Sequence, residues 1–122
     1  MNTGFAIAAS LALLTWGIHT FVGTPQIARP LLDSDMEPVP KYTNFYGWHL
    51  VTIVLFAMAG GFGYAATTPQ GGDVGVLMTL LSGAFGLWSI LLIAWKHRHP
   101  MQLPQWTLFV AVTAAGLVGV LT

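Results

Sequence analysis

Four long apolar stretches, at about residues 4–22, 45–66, 74–95 and 103–121, take up most of the chain, and none contains Asp, Glu, Lys or Arg. A helix crossing about 30 Å of hydrocarbon needs roughly 20 apolar residues at a rise of about 1.5 Å. Each stretch approaches that length, the last being the shortest. A helix lying on a soluble core would carry one apolar stripe, whereas these segments are apolar on every face, as expected for burial in lipid. The sequence therefore predicts an all-α membrane protein. Four transmembrane helices form an antiparallel bundle and a single domain over residues 1–122, joined by a loop at 23–44 and short turns at 66–73 and 96–102.

Composition supports that solvent. Charged residues make up 7% of the chain, against about 25% in an average soluble domain. Mean hydropathy is +0.71. The formal net charge is zero, so no basic excess points to nucleic acid as a partner. The absence of cysteine excludes disulfides, a thiolate nucleophile and thiolate-held metal clusters. Any metal would use nitrogen, oxygen or thioether ligands.

Charge placement sets the expected orientation. Arg29, Lys41, Lys96 and Arg98 all fall in the 23–44 loop or the 96–102 turn, on the side opposite both termini. Basic residues in short connections mark the inner side. Both termini are therefore expected on the outer side, which for a bacterial inner membrane is periplasmic. Met1-Asn2-Thr3 lacks the positive region of a secretory signal, so the first stretch is read as a span. Pro25, Pro30, Pro38 and Pro40 argue for an extended or broken 23–44 loop. Small residues at helical spacing, Ala57-xxx-Gly61-xxx-Ala65, Ser82-xxx-Gly86 and Ala111-xxx-Ala115-xxx-Gly119, predict close helix packing, within the chain or against another protein.

The candidate site is a set of histidines. His19 lies about one turn inside the end of the first span and His49 about one turn inside the start of the second, so an antiparallel pair brings them to similar depth. Ionisable residues inside spans are uncommon and usually face the bundle interior. Gln105 opens the fourth span at the same membrane face. Lys96-His97-Arg98-His99 reads first as a basic interfacial run that, with Arg29 and Lys41, sets orientation. Three readings of His19 and His49 follow. Neutral imidazoles ligate a haem b iron or a transition metal, with Thr15, Thr52 or Gln105 holding the other ring nitrogen. Alternatively, they hydrogen-bond a quinone headgroup among Trp16, Tyr46 and Trp48. In the third reading they simply tie two helices together.

Other chemistries lack their residues. No embedded carboxylate is available for proton-coupled transport, and Asp73 reads as a helix-terminal cap or dipole partner. Asp33, Asp35 and Glu37 lack the spacing of a calcium loop. Gly71-Gly72 has no following Lys-Ser or Lys-Thr pair for phosphate. The leading expectation is a small, non-catalytic accessory or scaffold protein, acting through helix packing and the 23–44 loop in the lipid bilayer. Its partner is another membrane protein or a second copy. The alternative is a haem, metal or quinone redox component centred on His19 and His49.

Overall fold

A computed structural model describes residues 1–122 and contains four helices and no strand. Helix α1 spans Thr3–Leu32 and α2 spans Pro38–Thr67. Helix α3 spans Gly72–Lys96 and α4 spans Gln105–Leu121. A single turn of 3₁₀ helix, Pro69–Gly71, leads into α3. The stretches Thr3–Leu32, Pro38–Thr67 and Pro69–Lys96 are long and apolar enough to cross a membrane. That composition is compatible with an integral membrane protein.

The expected loop at 23–44 is corrected. Only residues 33–37 separate α1 from α2; the remainder of the segment is helical. The reason lies in where each proline falls. Pro38 opens α2 and Pro40 lies within its first turn, where N–H groups have no intrahelical acceptor and the fixed φ of proline suits the helix. Pro25 lies in Ile18–Ala28, which is wound as a π-helix. Its wider turn moves the hydrogen-bond partner by one residue, so the missing N–H and the pyrrolidine ring are accommodated instead of ending the helix. Arg29–Leu32 returns to α geometry, with Pro30 in its first turn.

These changes make the helices unequal. Helices α1 and α2 each contain 30 residues, whereas α4 contains 17. At about 1.5 Å per residue that is roughly 45 Å against roughly 25 Å. Their ends are level at Asn2, whose N–H donates to the Ala66 carbonyl at 2.8 Å and whose Nδ2 donates to the Gly119 carbonyl at 2.8 Å. Asn2 Oδ1 also accepts from the Phe5 N–H at 3.1 Å, capping α1. Thus one side chain and its own amide fasten the start of α1 to the ends of α2 and α4. The α1–α2 hairpin then continues past α4 at the opposite end.

The core near Asn2 is built from Phe5, Ala8, Ala12, Met58, Phe62, Ala65, Ala66 and Val112. The Phe5 ring fills the space that a Cβ at Gly75 or Gly119 would need, and Gly4 lies directly on the Gly119 backbone. The small-residue faces largely pack within the chain. Gly61 meets Met78 and Val74, Gly86 meets the Cβ of Phe109, and Gly116 meets Thr79. Ser82 Oγ and Thr113 Oγ1 share a hydrogen bond of 3.0 Å between α3 and α4. Thr15, Thr79 and Thr113 donate to the carbonyls of Leu11, Gly75 and Phe109, so these hydroxyls are satisfied without water. Ala57, by contrast, is exposed. Leu80, Ile53, Phe56, Trp88 and Leu91 also face outward, leaving an apolar perimeter.

Candidate functional site

His19, in the π-helical part of α1, packs on α2. Its Nε2 lies 2.9 Å from Thr52 Oγ1 and 3.2 Å from the Trp48 carbonyl. Its ring stacks on the Trp48 indole, with centroids 4.0 Å apart and planes 20° from parallel. A carbonyl only accepts, so Nε2 carries the proton and donates it, leaving Nδ1 with its lone pair. The Thr52 hydroxyl donates in turn to the Trp48 carbonyl at 3.2 Å. Helical spacing brings these groups together. Trp48 and Thr52, separated by one turn, face α1 together, while Gly23, one turn beyond His19, leaves room for the indole. A Cβ at Gly23 would lie 2.9 Å from the Trp48 ring.

His49 occupies a different environment. It is exposed, and its ring stands edge-on to Phe45 with centroids 4.8 Å apart at 86°. Its Nδ1 reaches the Thr52 hydroxyl at 3.5 Å. The two imidazoles are therefore joined through one threonine hydroxyl rather than by facing each other across an open space. Thr52 bonds His19 Nε2, Thr15 bonds its own helix, and Gln105 is exposed without bonding either histidine.

The energetic scale of this contact is modest. A side-chain hydrogen bond contributes about 1 kcal/mol net, and a favourable stacked aromatic pair adds about 1 kcal/mol. That is enough to set the register of two helices. Trp48 Nε1 and Thr20 Oγ1, both close to His19 in sequence or contact, are buried without a hydrogen-bond partner. An unmet buried donor costs about 1–3 kcal/mol, so this corner of the contact has spare hydrogen-bonding capacity.

His97 and His99 belong to the connection between α3 and α4. His97 ends α3 in the left-handed region at φ 51°, and the Arg98 N–H closes that end on the Ile93 carbonyl at 3.1 Å. His99 Nδ1 accepts from the Met101 N–H at 3.1 Å. Lys96 places its ammonium 4.3 Å above the Trp95 ring. Arg29 and Arg98 are exposed and Lys41 is half-buried. No three His, Asp or Glu side chains converge as metal ligands. Asn2 escaped the sequence reading as a tertiary tie, although an Asn preceding an apolar helix is a recognisable cap signal. The chain matches no protein-family model, no curated protein and no solved structure.

Proposed function

We propose that this chain is a small, non-catalytic integral membrane accessory or scaffold protein, spanning a bacterial inner membrane as an antiparallel four-helix bundle. One observation carries the proposal: the half-buried His19 between α1 and α2 is engaged by Thr52, the Trp48 carbonyl and the Trp48 ring. Its chemistry goes into holding α1 against α2. The clasp supports a long hairpin, and the hairpin is the surface for a partner. Beyond the reach of α4, it exposes Phe21, Ile27, Val39, Tyr42 and Tyr46 around an acidic connection containing Asp33, Asp35 and Glu37. Exposed apolar side chains beside a polar connection are the contact surface this reading assigns to the partner.

The partner is another membrane protein or a second copy of the chain. Purification in mild detergent is expected to retain a larger membrane protein, and F21S/V39S is expected to release it. A monodisperse, partner-free chain that performs a redox reaction by itself would overturn the proposal. Both termini lie on the periplasmic side, supported by the basic residues of the opposite connections. A C-terminal alkaline phosphatase fusion is expected to be active, and activity only from a cytoplasmic reporter would reverse that orientation.

The unpartnered Trp48 Nε1 and Thr20 Oγ1 favour one second reading. In it, the quinone or haem component centred on His19 and His49 uses the indole N–H to donate to a ligand oxygen. A bound chromophore or a quinone-dependent change at His19 distinguishes it from the clasp.

A further inference from the structure

The connection between α3 and α4 concentrates charge of one sign on an ordered frame. Lys96, His97, Arg98 and His99 are consecutive and exposed, and no Asp or Glu follows Asp73 in the chain. The frame comes from internal hydrogen bonds. The His99 N–H donates to Gln102 Oε1 at 3.3 Å, the Gln102 N–H donates to the His99 carbonyl at 2.9 Å, and Trp106 Nε1 donates to the Pro100 carbonyl at 3.1 Å. Because His99 Nδ1 accepts from the Met101 N–H, its neutral ring carries the proton on Nε2, which is left as a donor. Lys96 is held over Trp95, and Trp95 is 65% exposed. The result is a set of donors, ammonium, guanidinium and imidazole N–H, bracketed by two tryptophans at the ends of two apolar helices.

We infer that this turn binds the phosphodiester headgroup of an anionic phospholipid. Planar guanidinium donors and an ammonium suit phosphate oxygens, while tryptophan favours the headgroup level of a bilayer. A lipid supplies both the phosphate and the acyl chains that meet the apolar flanks of α3 and α4. Free phosphate supplies only the first. The inference rests on the membrane reading above, and the following experiment separates the two.

The full chain is reconstituted into phosphatidylcholine vesicles containing a minor share of phosphatidylglycerol. The vesicles are washed with alkaline carbonate, and the lipids retained by the released protein are counted by native mass spectrometry. Phosphatidylglycerol is expected to be enriched over its share in the vesicle. K96Q/R98Q is expected to reduce that enrichment by about twenty-fivefold at most, about fivefold per charge. K96R/R98K retains the enrichment, as does R29Q/K41Q, which alters the other connection. Protein removed by the carbonate wash would overturn the membrane reading. Protein that stays in the vesicles but retains both lipids in proportion, or that keeps its preference in K96Q/R98Q, would overturn the lipid site alone. Retention of inorganic phosphate by the detergent-purified chain, together with no preference for phosphatidylglycerol in vesicles, would assign the site to free phosphate and overturn the lipid assignment.

Discussion

Gly4→Val is expected to destabilise the protein by about 3 kcal/mol, the upper range for overpacking a close contact. The Cβ of any residue at this position would lie 2.6 Å from Gly119 Cα and 2.8 Å from the Val118 carbonyl carbon. Those obstacles are backbone atoms, which cannot rotate away as a side chain can. Relief requires separating α1 from α4, and that separation also withdraws Phe5 from its place over Gly75 and Gly119. Gly17→Ala provides the internal control. No neighbouring atom lies within 4 Å of a Cβ there. Replacing that glycine is expected to be neutral or to stabilise by up to about 1 kcal/mol through helix propensity. Equilibrium unfolding in detergent, followed by far-ultraviolet circular dichroism, measures both. Equal stability of Gly4→Val and the parent chain would contradict the close α1–α4 contact.

Asn2→Ala is expected to cost about 2 kcal/mol, combining about 1 kcal/mol for the lost cap with a similar amount for the Gly119 carbonyl left without its donor. The backbone bond from the Asn2 N–H to Ala66 survives the substitution. Asn2→Ser separates the two contributions. A serine hydroxyl still caps the Phe5 N–H but is too short to reproduce the amide donation to Gly119. About half the loss should therefore return. The same unfolding measurement decides between roles: if serine restores full stability, Asn2 acts only as a cap and the tie to α4 has no energetic weight.

The apolar stretches made the helical composition legible, because uncharged runs of this length have few other uses in a protein chain. The ends of the first two helices were hidden for a specific reason. Proline disfavours the interior of an α-helix, and neither the π-winding around Pro25 nor the first-turn placement of Pro38 and Pro40 appears in a local count of prolines. Small-residue spacing announced close packing without naming its counterpart. Only the tertiary arrangement sets Gly61 against Met78 and Gly116 against Thr79.

The candidate site was partly legible. Depth matching brought His19 and His49 toward each other, and Thr52 was among the acceptors that spacing suggested. The stacking of His19 on Trp48 was not, since it depends on how α1 and α2 are turned toward each other and on the room that Gly23 leaves for the indole. Gln105 is the other case. Sharing one end of the helices with His19 does not place it on the same face, and it is exposed.

If His19 acts as a helix clasp, its Nε2–H serves the contact with α2 and its Nδ1 holds no cofactor. The most direct measurement is an absorption spectrum with metal analysis on the chain purified from membranes, alongside His19→Ala and His49→Ala. The expected result is no Soret band and no stoichiometric metal in any of the three, with reduced stability in His19→Ala. A Soret band or one equivalent of metal in the parent chain, lost from both variants, would contradict the clasp and make the two histidines ligands.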